Sequence, residues 1–173
     1  MGTTIVRFIL VCVSALCSTP LPVPRPDPSA AILARVIVRE NPSLNDAAQA
    51  YYVGRTPVIE VNSRRLRALP VPVQIFVMAH EQGHLVRGHQ RPRGFARAGV
   101  AQRFRALETD ADCYAARALA LSNPRALRAT IEWFAAQGLV PPNRYHPSGI
   151  ERAGTLLACS RPVQGGLALP GVE

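Results

Sequence analysis

The sequence predicts a single α+β domain that is mostly helical. The chain has 173 residues and is 48% hydrophobic, enough to bury one sizeable core but too short for two ordinary domains. Several long apolar stretches have helical length and end at glycine or at Asn-Pro, whereas one short segment alternates as a β-strand does. Together these features indicate helices arranged around at least one strand.

The N-terminal residues differ in composition from the rest of the chain. Arg7 precedes an apolar run at residues 8–16, a pattern typical of a secretory signal peptide over residues 1–17. The run is well short of the roughly 20 apolar residues of a membrane-spanning helix. Residues 18–29 carry a proline at nearly every second position and predict an extended spacer. We therefore expect an exported protein, periplasmic or extracellular.

Cys17 admits a second interpretation, in which it is acylated as in a lipoprotein. Leu16 weakens this interpretation, because a small residue is expected immediately before the cysteine. The cell envelope is the destination in either case, so peripheral envelope association is compatible with the sequence.

Two cysteines, Cys113 and Cys159, remain after removal of residues 1–17. In an oxidising compartment an even pair forms disulfides, and so Cys113 and Cys159 are candidates for one. The alternative is that both stay buried as small apolar thiols. The sequence leaves these two interpretations open.

Residues 30–160 carry the predicted domain, and local signals define its elements. A helix is predicted over Ala30 to Arg39, and a strand over Val58 to Asn62. Longer helices follow at Val73 to Val86, Val100 to Leu121, Pro124 to Gly138 and Ser148 to Cys159. Ser148 and Glu151 form a capping box at the start of the last helix. The glycine-rich residues 161–173 predict a flexible tail.

The charge distribution argues against a nucleic-acid partner. The chain has 20 basic and 11 acidic residues, a net charge of +9, and every basic residue is arginine. The arginines are scattered along the chain instead of gathering in one stripe. Nucleic-acid binding needs clustered basic residues with stacking aromatics, and aromatics make up only 6% of this chain.

The pentapeptide His80-Glu81-Gln82-Gly83-His84 is an H-E-x-x-H sequence inside the predicted helix Val73 to Val86. Spacing of four residues on a helix places both imidazoles on one face, where they can bind one zinc ion. Glu81 is adjacent to the first ligand and can accept a proton from a zinc-bound water. The motif therefore predicts Zn²⁺ as the cofactor.

A catalytic zinc usually has a third protein ligand and one open position. Candidates for that ligand are His89, Glu108, Asp110, Asp112 and His146. Glu108 and Asp112 are four residues apart on one helical face, which suits a metal ligand and a carboxylate that orients a ligating histidine. The alternative is an exposed acidic patch that balances nearby arginines.

His89 and Asp110 are weaker candidates for zinc binding. His89 follows His84 by five residues, which does not match the six-residue spacing of the extended metzincin motif. We expect His89 to be solvated beyond the helix end. Asp110 points to the side opposite Glu108 and Asp112, so we interpret it as surface charge.

Three motifs together resemble the HtpX-like gluzincin peptidases, which are related to the CAAX prenyl proteases. They are His80-Glu81-x-Gly83-His84, Glu108-x-x-Ala111-Asp112 and His146-Pro147-Ser148 with the downstream Arg152. The resemblance covers roughly Val58 to Leu157. It implies a zincin-like domain with an active-site helix, a second ligand helix that supplies Glu108, and a short edge sheet. Tyr145 departs from the family pattern, since it replaces the usual threonine before the histidine.

The resemblance also implies roles for residues around the zinc site. The strand Val58 to Asn62 would be an edge strand beside the cleft, to which a peptide adds, unless it is an ordinary core strand. His146 or Tyr145 would donate a hydrogen bond to the oxyanion, unless both pack at the helix entry. Arg152 either holds an acidic partner or contacts substrate.

The sequence thus predicts a zinc metalloendopeptidase that cleaves exported or envelope proteins, with Glu81 and His146 as catalytic residues. The metal ligands are His80, His84 and Glu108, and the partner is a peptide or protein substrate. The alternative is a non-catalytic exported zinc-binding or peptide-binding protein. In that case a fourth protein ligand would close the zinc site against water. The oligomeric state stays open.

Overall fold

The computed structural model of the protein describes residues 28–89 and 99–161. Within these residues the elements in chain order are α1 (Pro28–Leu33), β1 (Ile37–Glu40), β2 (Ala48–Val53), β3 (Thr56–Val61), α2 (Ser63–Arg67), α3 (Val71–Val86), α4 (Val100–Ser122), α5 (Pro124–Ala136) and α6 (Gly149–Ser160). The prediction of a mostly helical α+β class is confirmed. No helix of the described ranges is both long and apolar enough to cross a membrane.

The predictions for the two ends of the chain are for the most part not tested. The predicted signal peptide, residues 18–27 of the spacer and residues 162–173 of the tail lie outside the described residues. Helix α1 includes Pro28 and Ser29, which the sequence placed at the end of the spacer.

The sheet has the strand order β1-β3-β2. Strand β3 runs parallel to β1, with Val58 opposite Ile37, and antiparallel to β2, with Val61 opposite Ala48. Gly54 forms the turn between β2 and β3 with a φ of 60°, a conformation that glycine adopts without steric cost.

The interpretation of Val58 to Asn62 as an edge strand is wrong. Strand β3 ends at Val61 and is paired on both sides, and Val58 and Ile59 are almost completely buried. Asn62 instead caps α2, where its side chain accepts a hydrogen bond from the Arg65 N–H. The strand at the sheet edge near α3 is β2.

The predicted helix over Ala30 to Arg39 is also wrong in its second half. Helix α1 ends at Leu33, and the chain continues as β1 from Ile37. The β-branched residues Val36, Ile37 and Val38 favour an extended chain. Pairing with β3 satisfies the hydrogen bonds of this segment, which the apolar pattern alone did not reveal.

The four long helices lie within two residues of their predicted bounds. The predicted capping box of Ser148 with Glu151 is present. Asn123 caps α5, where its side chain accepts a hydrogen bond from the Ala126 N–H. Helix α3 lies between the sheet and the pair of helices α4 and α5. Phe76 and Ala79 of α3 pack in a core with residues of α4, α5 and α6, namely Ala115, Ala116, Leu119, Leu127, Phe134, Ala153 and Leu156.

A disulfide between Cys113 and Cys159 joins α4 to α6, with 5.2 Å between the two Cα atoms. Of the two interpretations that the sequence left open, the disulfide is the one found. Closing a chain segment of 46 residues restricts the unfolded chain, which stabilises the fold by about 4 kcal/mol in the chain-entropy description.

Gly149 allows the start of α6 to approach the end of α5 closely. A Cβ atom at residue 149 would lie 2.2 Å from the Phe134 carbonyl oxygen and 2.6 Å from Gln137 Cβ. By contrast, a Cβ atom at Gly154, exposed on the same helix, would meet nothing within 4 Å.

We therefore predict opposite effects for the same substitution at two positions of α6. Gly149→Ala lowers the free energy of unfolding by about 2 kcal/mol, because backbone must shift to admit the methyl group. Gly154→Ala raises it by up to about 1 kcal/mol, because alanine is the better helix former. Urea denaturation of both variants measures the changes, and shifts of the same sign would contradict the packing described.

Candidate metal centre

Two histidines of α3 and a glutamate of α4 converge on one point. His80 Nε2 and His84 Nε2 are 3.0 Å apart, as expected for imidazoles one turn apart on a helical face. The Glu108 carboxylate lies 3.2 Å from the His80 nitrogen and 3.5 Å from the His84 nitrogen. These three groups can hold a metal ion, since their ligand atoms all lie within 4.8 Å of one another.

The spacing of these atoms fits a small divalent cation. Two ligand atoms about 2 Å from a zinc ion and at a tetrahedral angle to it are separated by about 3.3 Å. The observed separations of 3.0, 3.2 and 3.5 Å lie on both sides of this value. Two imidazoles and one carboxylate also form a donor set of hydrolytic zinc enzymes. The identity of the metal stays a prediction.

Gly83 allows α3 and α4 to approach each other at this site. A Cβ atom at residue 83 would lie 3.1 Å from the Ala111 carbonyl oxygen and 3.1 Å from the Tyr114 side chain. These contacts are tighter than ordinary van der Waals contacts, so a larger residue would push the helices apart. The glycine between the two histidines therefore helps to bring Glu108 within reach of them.

The Asp112 carboxylate bonds to the outer nitrogen of His80, which is the ring nitrogen Nδ1 that does not face the metal-binding group. Its Oδ1 atom lies 2.8 Å from His80 Nδ1, and it also accepts two hydrogen bonds from Arg152, at 2.8 and 2.5 Å. The guanidinium in turn lies over the Phe134 ring, 4.2 Å from its centroid. Arg152 therefore holds an acidic partner, one of the two roles that the sequence left open.

Charges within the site shift the pKa values of its members. Burial by itself would lower the pKa of His80, but the hydrogen bonds that its ring donates to Asp112 and Glu108 raise it to about 10. Burial and the positive His80 lower the pKa of His84 to about 3. Burial opposes ionisation of Glu108, yet the hydrogen bond and charge of His80 lower its pKa to about 2.

Without a metal ion, these pKa shifts favour a proton within the group of His80, His84 and Glu108. The raised pKa of His80 favours a proton on its Nε2 atom, which faces Glu108 and His84, the groups that would bind a metal. A metal ion and this proton therefore compete for the same lone pairs.

Glu81 lies beside the metal-binding group, buried at 8% exposure, and lines the cleft. Burial raises the pKa of its carboxyl, and the negative Glu108 adds to the rise, while the positive His80 and a hydrogen bond with the Ala50 backbone oppose it. A carboxylate with a raised pKa is a stronger proton acceptor, as a general base at neutral pH must be.

The cleft over the metal-binding group has a volume of about 470 Å³. One wall is the start of β2, from Ala48 to Ala50, with the preceding Asp46 and Ala47. The opposite side comes from α4 and the loop before α6, and includes Phe104, Leu107, Pro142, Asn143, Tyr145 and His146. A strand edge thus borders the site, although it belongs to β2 and not to the predicted segment Val58 to Asn62.

His146 also reaches the metal-binding group. Its Nε2 atom lies 3.5 Å from Glu108 Oε2, and its Nδ1 atom lies 2.9 Å from Asn143 Oδ1. The neighbouring Tyr145 contacts the Phe104 ring, and its hydroxyl accepts a hydrogen bond from Arg144. Of these two candidates for contact with a reacting carbonyl, His146 is the one in contact with Glu108.

The prediction that His89 is solvated beyond the helix end is wrong. Its side chain is only 8% exposed, and its Nδ1 atom lies 3.0 Å from His84 Nδ1. Its Nε2 atom lies 3.0 Å from Asp110 Oδ2. Asp110 is half exposed, as predicted for surface charge, but it is bonded to His89 and also faces Arg87.

A local signal accounts for the position of His89. Gly88 has a φ of 66°, the Gly88 N–H bonds to the Leu85 carbonyl, and the His89 N–H bonds to the His84 carbonyl. This is the Schellman motif, in which the residue after the glycine folds back over the last turn of the helix. Gly88 at the end of α3 is therefore the sequence signal that predicts this position of His89.

Comparison with protein-family models, with curated proteins and with solved structures finds no match to this chain. The resemblance to the HtpX-like peptidases therefore stays a prediction that rests on the residues quoted for it.

We predict that zinc binding to the metal-free protein at pH 7 releases at least about one proton, because His80 must lose its proton to become a ligand. Apparent zinc affinity should therefore fall as the pH falls. Titration calorimetry in buffers of different ionisation enthalpy measures the released protons. In Asp112→Asn the pKa of His80 drops and fewer protons leave, so equal release from both proteins would contradict the prediction.

Proposed function

We propose that this protein is a zinc-dependent metalloendopeptidase that hydrolyses peptide bonds of exported or envelope proteins. The observation that carries the proposal is the convergence of His80, His84 and Glu108 beside the buried Glu81, at the base of an open cleft. Two imidazoles, a carboxylate ligand and an adjacent carboxylate base are the groups that metal-assisted hydrolysis requires.

His80, His84 and Glu108 would hold the metal. A zinc ion there would supply Lewis acidity, which polarises a carbonyl group and lowers the pKa of a water molecule toward about 7. Glu81 accepts a proton from the attacking water and then delivers it to the leaving amine, and its raised pKa suits both steps. Asp112 keeps the His80 ring oriented with its Nε2 atom toward the site.

A peptide substrate fits the wall of the cleft that β2 forms. An edge strand offers unpaired backbone groups, and an extended peptide can add to it as a further strand. Residues Ala48 and Ala50 line the cleft, and their side chains are buried in the core with Ile59 and Leu85, which holds this edge of the sheet in place. His146, 3.5 Å from Glu108, would donate a hydrogen bond to the oxyanion from Nε2 in its doubly protonated form, because its Nδ1–H already donates to Asn143 Oδ1.

The contact of His146 with Glu108 also favours one specific alternative, a non-catalytic exported zinc-binding or peptide-binding protein. In that case His146 would be the fourth protein ligand and would close the site against water. His89 does not suit this role, since its Nδ1 atom faces the outer nitrogen of His84.

The disulfide between Cys113 and Cys159 supports the proposed export. Disulfides persist in oxidising compartments such as the periplasm and the extracellular space. The same expectation follows from the signal-like pattern of residues 1–17.

We predict that Glu81→Gln abolishes proteolysis but retains zinc, because the amide cannot accept the proton and Glu81 is not among the metal-binding residues. The expected loss in rate is at least about 10²-fold. The assay compares cleavage of an unfolded protein and bound zinc for wild type, Glu81→Gln and chelated enzyme, with the exposed Glu132→Gln as the matched control.

Each outcome of this assay distinguishes the two candidate functions. Proteolysis in wild type and Glu132→Gln but not in Glu81→Gln, with zinc bound to all three of these unchelated proteins, supports the peptidase. Bound zinc without proteolysis in any protein would favour the non-catalytic alternative. A wild-type protein that binds no zinc would contradict both.

A further inference from the structure

We propose that His89 is a positioning residue that orients His84 for metal binding, through a hydrogen-bonded chain that ends at Asp110. The inference rests on the metal centre of the proposed function. Sequence motifs do not assign this role, since His89 lies outside the H-E-x-x-H sequence and is not one of the residues that converge on the metal-binding point.

The direction of each hydrogen bond in the chain follows from the role of His84 Nε2. To bind a metal, that nitrogen must keep a free lone pair, so the proton of the neutral His84 ring is on Nδ1. His84 Nδ1–H therefore donates to His89 Nδ1, 3.0 Å away. The proton of His89 is then on Nε2, which donates to the Asp110 carboxylate at 3.0 Å.

The backbone around His89 holds its ring in place for this contact. Gly88 adopts the left-handed conformation, and the His89 N–H donates to the carbonyl of His84 itself. Backbone and side chain of His89 thus both bond to His84. The ring is nearly buried, and the two imidazole planes meet at 71° with centroids 5.1 Å apart.

His80 and His84 both make a hydrogen bond through Nδ1, the ring nitrogen that does not face the metal-binding group. His80 Nδ1 contacts Asp112 directly, and Asp112 is held by Arg152 in the core. His84 lies one turn closer to the helix end, and its Nδ1 atom reaches the Asp110 carboxylate of α4 through His89. Outer hydrogen bonds of this kind fix the tautomer and ring orientation of a metal ligand.

Truncation of His89 should therefore weaken zinc binding. His89→Ala removes the acceptor for His84 Nδ1–H, and we expect a 10- to 100-fold increase in the zinc dissociation constant, as is typical when such a partner is lost. His89→Asn keeps an oxygen acceptor at this position and should recover most of the affinity. Asp110→Ala removes only the far end of the chain and should give a smaller loss.

Tyr52→Phe is the matched control for a purely structural effect. The Tyr52 hydroxyl donates to the Leu85 carbonyl at 2.9 Å, so its removal costs one hydrogen bond at the same end of α3 without touching either histidine. We expect this variant to unfold at a lower temperature, since one hydrogen bond is lost, and to keep the zinc affinity of wild type.

The experiment is a competition titration of zinc between each metal-free variant and a chromophoric chelator, with thermal unfolding of the same samples. The expected order of affinity is wild type and Tyr52→Phe first, then Asp110→Ala and His89→Asn, and His89→Ala last. Wild-type affinity in Asp110→Ala and His89→Ala, or equal losses in His89→Ala and His89→Asn, would overturn the positioning role. If His89→Ala does not fold, Asp110→Ala and His89→Asn decide. A wild-type protein without affinity for zinc would instead refute the metal centre itself.

Discussion

The buried Asp112 carboxylate, held between His80 and Arg152, is the interaction on which the rest of the site depends. It joins three helices, because Asp112 lies on α4, His80 on α3 and Arg152 on α6. Burial opposes its ionisation, but the charge of Arg152 and the hydrogen bond with His80 lower its pKa to about 2. Loss of Asp112 would leave Arg152 as a buried charge without its carboxylate, at a cost of about 3–5 kcal/mol.

The packing around this carboxylate keeps its partners in position. The disulfide from Cys113, the residue after Asp112, fixes α4 to α6, and Gly149 brings the start of α6 against the end of α5. Gly83 provides the corresponding close approach of α3 and α4. Since these contacts fix the distances between helices, they also fix the distance from Glu108 to the two histidines.

Much of the candidate site could be predicted from sequence, because the spacing of its ligands is local. His80 and His84 share a helical face, as do Glu108 and Asp112, and that periodicity is visible in the residues. The sheet could not be predicted as well, since β1 and β2 are defined by pairing with β3 across the chain. His89 was misplaced because its position depends on the left-handed Gly88 and not on helical spacing.

The proposed function depends on the binding of one zinc ion by His80, His84 and Glu108. Anomalous diffraction at the zinc absorption edge, from crystals of the zinc-loaded protein, locates such an ion. We expect one peak about 2.0–2.2 Å from His80 Nε2, His84 Nε2 and a Glu108 carboxylate oxygen. A zinc peak on other residues, or none between these three side chains, would contradict it.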